Sequence, residues 1–371
     1  MAKLNKAFQF RLQPSKEQKV LLAKTFGCVR FVYNKMLSER QETYEKCQDD
    51  IEKIKKKKFP TPAKYKDEFS FLKEVDSLAL ANAQLNLQKA YKNFFEGNAE
   101  FPKFKNRKSK QSYTTNRVNG NIELQDDHIK LPKLKLIKIK KHREIPADYK
   151  LKSCTISKTK SGKYYISILT EYEKEIKPVP IRKVVGLDFA MDGLYVESEQ
   201  GEKANYPRFY QQSLDKLAKE QRILSRRKKG SARWEKQRLK VAELQEKTAN
   251  QRRNFLHHKS KELASIYDAV IIEDLDMKGM SKALRFGKSV HDNGWGMFTL
   301  FLGYKLKEQG KKLVKIDKWF PSTKKCSYCG AEKKMSLSER TYKCSCGFVA
   351  NRDYNSAINI KNEGMRLLVL A

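Results

Sequence analysis

The residues Lys6-Ala-Phe-Gln-Phe-Arg-Leu12 alternate polar and apolar positions, the period of a half-buried strand, and Pro14 closes it. Ser15 then caps a predicted helix whose stripe runs through Val20, Leu21, Ala23, Phe26, Val29, Phe31, Val32 and Met36. A second helical stretch covers 78–95, with Leu80, Ala83, Leu85, Leu87 and Tyr91. From Phe101 the pattern turns extended. Leu134-Lys-Leu-Ile-Lys-Ile-Lys140 and Tyr164 to Tyr172 alternate like strands, with Ser161-Gly162 as the turn before the second. The middle of the chain therefore predicts a small β-barrel or sheet, which the first strand can join with the helices inserted between.

Prolines at 178 and 180 mark a boundary. Beyond it Lys183-Val-Val-Gly-Leu-Asp188 is a buried strand carrying one acid near its end, and Asp192-Gly193 turns the chain into Leu194-Tyr-Val-Glu197. Leu214, Leu217, Gln221 and Leu224 step at helical spacing, Lys229-Gly230-Ser231 breaks the pattern, and a second amphipathic helix follows over 233–266. Ala269-Val-Ile-Ile-Glu273 repeats the apolar strand ending on an acid, and Asp353 opens a last helix through Tyr354, Ala357, Ile358 and Ile360. A charge in so apolar a strand is costly unless it serves a metal. Taken singly, each acid could be a cap or turn residue. Two strand acids and one helix acid together suit a pair of magnesium ions, which take hard oxygen ligands with water and phosphate completing the shell.

Charge changes the picture next. Lys plus Arg number 79 against 43 Asp plus Glu, a formal charge of +36 over 371 residues. That excess calls for a polyanionic partner, and its spread along the whole chain favours nucleic acid over anionic lipid. No apolar run approaches the roughly 18 residues of a membrane helix. Phe101-Pro-Lys-Phe-Lys-Asn-Arg-Lys108 interleaves aromatic and basic residues, a pattern for stacking on bases while pairing phosphates, with Phe104, Lys105 and Arg107 as candidates; the alternative is a loop whose Phe residues enter the core. Arg226, Arg227, Lys228 and Lys229 at the helical hairpin tip form a second candidate patch, and the lysine-rich run over 45–58 a third.

Four of the seven cysteines, Cys326, Cys329, Cys344 and Cys346, make two knuckles fourteen residues apart, the spacing of one structural zinc ion. Paired disulfides would need an oxidising compartment, and Met-Ala-Lys-Leu-Asn-Lys offers no apolar signal core. Cys28, Cys47 and Cys154 are scattered and read as ordinary thiols.

These features in this order resemble the TnpB family, transposon-encoded RNA-guided DNA endonucleases related to type V CRISPR effectors. The resemblance spans nearly the whole chain and is densest over Val185-Gly-Leu-Asp188, Ile272-Glu273-Asp-Leu, Asp292-Asn-Gly-Trp-Gly296, Asp317-Lys-Trp-Phe-Pro321, the cysteine pairs and Arg352-Asp353-Tyr-Asn355. It implies an α+β multidomain fold: a wedge β-barrel from 1–13 and 113–180, a helical recognition lobe over 14–112, and an RNase H-like RuvC nuclease domain over 181–371 with a zinc ribbon inserted at 322–350. Asp188, Glu273 and Asp353 fall at the family's catalytic carboxylates, with magnesium and zinc as the implied metals. A guide RNA from the transposon end and double-stranded target DNA are the implied partners of one protein copy, in a bacterial cytoplasm beside the nucleoid. Two departures are mild. The second knuckle has one residue between its cysteines where two are common, and Asn351 stands where an acid often precedes Arg352. A nuclease-inactive DNA-binding regulator and a DNA-joining transposase are the competing readings; the intact Asp-Glu-Asp set argues against the first.

Overall fold

Alternation at the N-terminus produces a strand, β1 (Ala2–Gln13), whose inward positions Phe8, Phe10 and Leu12 are buried. The computed structural model describes residues 1–47, 59–277, 279–280, 292–336 and 338–369. The chain forms two units, Met1–Lys174 and Glu175–Ala371. Most of the lysine-rich run predicted over 45–58 lies outside the described residues.

In the first unit β1 leads into α1 (Lys16–Cys47), α2 (Pro62–Glu68), a 3₁₀ turn (Ser70–Glu74) and α3 (Ser77–Phe95). The strands β2 (Gln111–Asn116), β3 (Glu123–Gln125), β4 (His128–Leu131), β5 (Lys135–Lys140), β6 (Lys150–Lys158) and β7 (Tyr164–Lys174) follow. They assemble in the order β2-β6-β7-β1-β5-β4-β3, and every pairing is antiparallel. The helices are thus an insertion between the first strand and its partners.

Ser15 and Gln18 close the start of α1 reciprocally: Gln18 N–H donates to Ser15 Oγ at 3.2 Å, and Ser15 N–H donates to Gln18 Oε1 at 3.0 Å. The same Gln18 amide donates to Leu134 O and Leu136 O, tying the helix entry to the sheet. Phe26 of α1 meets Tyr113 of β2 at 5.7 Å between ring centroids, so helices and sheet share one core. Three residues of the predicted stripes, Val20, Ala23 and Leu85, are exposed. Val20 and Leu85 are 58% and 52% exposed, because each sits two residues, about 200° of helix, from the buried Leu22 and Leu87.

The second unit holds β8 (Val184–Phe189), β9 (Tyr195–Glu197), a hairpin of α4 (Phe209–Ser225) and α5 (Ala232–Ile266), then β10 (Ala269–Glu273). It continues through α6 (Trp295–Glu308), β11 (Lys312–Ile316), β12 (Thr341–Lys343), β13 (Val349–Asn351) and α7 (Arg352–Val369). The main sheet runs β11-β10-β8-β9, with β8, β10 and β11 parallel and β9 antiparallel to β8. Beyond β9 the chain returns as a single bridge, Val196 to Lys203. Val185, Leu187, Val270 and Ile272 fill one core with Phe298 and Leu302 of α6, while Ile271 packs on Ile360 of α7. The hydrophobic pattern does not predict the pairing of α6 and β11 with this sheet.

Candidate functional site

Strand polarity places two acids at the same sheet end. Because β8 and β10 run parallel and in register from Val184↔Ala269 to Leu187↔Ile272, Asp188 and Glu273 follow the last paired residues of neighbouring strands. Asp353 is the second residue of α7, which packs across both strands. Two glycines permit that approach. A Cβ on Gly186 of β8 would lie 2.3 Å from Ala357 O, and one on Gly364 of α7 would lie 2.3 Å from Ile271 Cγ2.

The electrostatics carry the signature of crowded acids. Burial, followed by the charges of Glu273 and Asp353, raises the Asp188 carboxyl well above the usual carboxylate range, with Ser356 and Arg352 acting in the opposite sense. Burial also raises Glu273, against a hydrogen bond from Ser322. Asp188 and Glu273, both raised, with Asp353 close enough for its charge to act on Asp188, make a donor set matched to divalent cations, and magnesium fits their hard oxygens.

Each acid is held by polar neighbours. Asn351 Oδ1 accepts from Asp353 N–H at 2.9 Å and from Tyr354 N–H at 3.3 Å, so the residue that departs from the family pattern caps α7. Arg352 Nε lies 3.3 Å from Asp353 Oδ1. Asn293 Nδ2 donates to Ala190 O at 3.0 Å and to Gly193 O, fixing the turn that follows Asp188. Its neighbour Asp292 is buried against Arg252 Nη2 at 2.7 Å. The Ser322 hydroxyl donates to Glu273 Oε1.

The cysteines converge as their spacing predicts. Sγ of Cys326 lies 3.9 Å from that of Cys346, Sγ of Cys329 lies 3.6 Å from that of Cys344, and all four fall within 4.8 Å of one another. Thiolates about 2.3 Å from a tetrahedral zinc ion sit roughly 3.8 Å apart, so the quartet fits that metal. The short second knuckle causes no misfit, because it forms the tip of the β12–β13 hairpin. Cys344 N–H donates to Phe348 O at 2.8 Å and Gly347, at φ +88°, donates back to Cys344 O. The hairpin then delivers the chain through β13 directly to Asn351 and Asp353. Among the described residues this is the one group of metal-ligating side chains gathered so tightly.

The candidate nucleic-acid contacts are divided. Phe104 is 53% exposed and Arg107 is also exposed, so that loop does not bury its aromatic residue; Lys105 instead packs half-buried, its ammonium 3.6 Å from the Tyr33 ring centroid. At the hairpin tip Arg226, Lys228 and Lys229 are exposed, whereas Arg227 Nη1 donates to Arg233 O. Sequence reasoning missed Trp319, 80% exposed with the Lys318 ammonium 5.1 Å from its ring centroid. A lone Trp in a short basic motif was the available signal.

A Streptomyces pristinaespiralis protein named as an RNA-guided DNA endonuclease is 34% identical, over 98% of this chain and 90% of its own. InsQ of Escherichia coli K12, similarly named, is 31% identical over 98% and 93%. The chain belongs to the TnpB family. Family models match at 167–284 ("Probable transposase"), 295–360 ("Cas12f1-like, TNB domain") and 1–49 ("Helix-turn-helix domain"). Over 1–47 this TnpB-family chain forms a strand and one long helix instead of a helix-turn-helix. The cryo-EM structure of a Cas12f1–sgRNA–target DNA complex shares the fold, with a TM-score of 0.60 at 13% identity over 97% of this chain and 99% of that one.

Proposed function

We propose that this protein is an RNA-guided DNA endonuclease that cuts double-stranded DNA at a site built from Asp188, Glu273 and Asp353. The observation that carries the reading is the convergence of these acids from β8, β10 and α7, with Asp188 raised by its burial and then by the charges of the other two. Magnesium bound there would supply an activated water and stabilise the leaving oxygen. The three side chains would hold the ions. Ser322 restrains the Glu273 carboxylate, Asn351 and Asn293 fix the backbone at Asp353 and after Asp188, and the β12–β13 ribbon, fitted to zinc, anchors the start of α7.

In this reading the strand, helix and strand order of residues 1–174 corresponds to a wedge barrel interrupted by a recognition lobe, and 181–371 to an RNase H-like RuvC domain with the ribbon at 322–350. The sheet order supports it: an antiparallel pair extended by parallel strands after helical crossovers, with acids at two neighbouring strand ends. The net charge of +36 suits a guide RNA and a DNA duplex, and it cannot by itself choose a sequence. Base pairing by the guide supplies that choice, with a short flanking motif read by the protein.

The test is cleavage of a plasmid library with randomised flanks by protein, a defined guide RNA and magnesium, beside Asp188→Ala, Glu273→Ala and Asp353→Ala. The expected result is guide-dependent cutting next to one short motif, lost in each variant while guide and target binding persist. Cutting that ignores the guide, joined DNA ends, or near wild-type cleavage by Asp188→Ala would overturn it.

A further inference from the structure

Accepting Glu273 as a metal-binding acid, we propose that Ser322 is a positioning residue for it, and that through Ser322 the cysteine ribbon and α7 set the geometry of the carboxylate site. Ser322 is 4% exposed and both its polar ends are engaged. Its hydroxyl donates to Glu273 Oε1, and its carbonyl accepts from Asn359 Nδ2 at 2.8 Å. Asn359, 3% exposed on α7, also donates to Lys325 O at 2.6 Å. One turn earlier the fully buried Asn355 donates to Lys325 O at 2.8 Å, and its Oδ1 accepts from Ser327 N–H at 2.9 Å.

These bonds bind the strip 322–327, which contains the first zinc-type ligand Cys326, to the helix that carries Asp353. Two buried amides on one helix face would be costly without such partners. Ser322 passes the constraint onward to Glu273, at the end of β10. A glutamate has three side-chain torsions; a donor fixed on Oε1 restricts them and leaves Oε2 for a cation.

The test uses the full, zinc-loaded chain freed of RNA, with Mn²⁺ affinity read by the EPR signal of free Mn²⁺, and the guide complex for the Mg²⁺ dependence of cleavage. Ser322→Ala is expected to weaken Mn²⁺ binding about tenfold, the loss of one hydrogen bond to a charged group. It should shift the half-maximal Mg²⁺ concentration by a similar factor, with one zinc retained and guide binding unchanged. Ser322→Thr, which keeps the hydroxyl, should stay near wild type. In a Glu273→Ala background Ser322→Ala should cost no further Mn²⁺ affinity.

Wild-type Mn²⁺ affinity in Ser322→Ala, failure of the threonine variant to rescue, or an equal cost in the Glu273→Ala background would overturn the proposal. So would loss of zinc or of cooperative melting in Ser322→Ala, since that is a structural role. Wild-type Mn²⁺ binding and cleavage by Glu273→Ala would instead remove the carboxylate-site reading itself.

Discussion

Gly186 of β8 and Ala357 of α7 are in backbone contact, so close that a methyl on residue 186 would lie 2.3 Å from the Ala357 carbonyl oxygen and 2.6 Å from Lys361 N. The obstacle is helix backbone, which cannot rotate away as a side chain can. Gly186→Ala should therefore lift α7 from β8 and carry Asp353 away from Asp188. Overpacking of this kind costs about 1–3 kcal/mol. Cleavage should fall by far more than the melting temperature does; a fully active Gly186→Ala protein would show that the contact yields without moving the acids.

Asp188 illustrates a conflict between stability and chemistry. Its carboxylate is buried beside two other acids, so the metal-free fold bears a cost that the neutral, isosteric amide lacks. Asp188→Asn should melt higher than wild type in EDTA, by about 2 °C or more. Excess Mg²⁺ should narrow the gap by stabilising only the wild type. Calorimetry with and without chelator decides the matter, and an unchanged or lower melting point in EDTA would contradict the burial argument.

Elemental analysis should find one zinc per chain. Cys344→Ser should lose it and unfold the ribbon, since zinc contributes roughly 10–16 kcal/mol to such modules. Because β13 leads straight into Asn351 and Asp353, nuclease activity should fall as well. Full cleavage by a zinc-free variant would uncouple the two centres.

A pH effect is expected at the foot of the sheet. Asp268 Oδ2 accepts from the N–H groups of Arg182 at 3.1 Å and Lys183 at 2.9 Å, and these bonds hold its carboxyl below the usual range. A depressed folded pKa means that the stabilisation is present above the unfolded value, about 3.9, and is lost as pH falls through the folded one. The stability gap between wild type and Asp268→Ala, read from urea midpoints, should hold from pH 7 to 5 and shrink below 4. The site is solvent-accessible, so the gap is small. A gap that widens in acid would reverse the assignment.

The hairpin tip should matter to affinity and not to sequence choice. Replacing Arg226, Lys228 and Lys229 with Gln should weaken guide or DNA binding similarly for all sequences and flatten its salt dependence, by a slope of about 0.9 for each duplex phosphate that is no longer neutralised. Arg227→Gln should change less, because its guanidinium is spent on Arg233 O. Binding titrations between low and moderate salt measure both.

Why some of this was readable follows from which interactions are local. Val184 to Asp188 and Ala269 to Glu273 announce themselves as apolar strands ending on acids, and the cysteine knuckles by spacing. Asn351 looked like a lost acid, but its capping role needs only the three residues after it. Ser322 and Asn359 were invisible for a different reason. Both are ordinary polar residues whose importance comes from burial, which arises only when α7 lies on the sheet. Asn355 and Asn359 did offer a sign, two amides four apart on a helix with Ala357 and Ile360 facing inward. The strand β11 was hidden by its lysines, since Lys312 and Lys315 break the apolar run that marks β8 and β10.

The register of β1 imposes an order of events on synthesis. Ala2 pairs with Lys174 and Leu12 with Tyr164, so β1 leaves the ribosome long before its full-length partner β7, which completes its unit. At bacterial or slower elongation speeds of about 5–20 residues per second, the intervening stretch takes roughly 10–30 s to appear. Phe8 and Phe10 wait through that interval without a paired strand, since β5 reaches only Arg11, Leu12 and Gln13, while α1 and α3 can already form. β1 is thus made early and completed late, and a nascent chain stalled before residue 164 would present an apolar strand edge to chaperones.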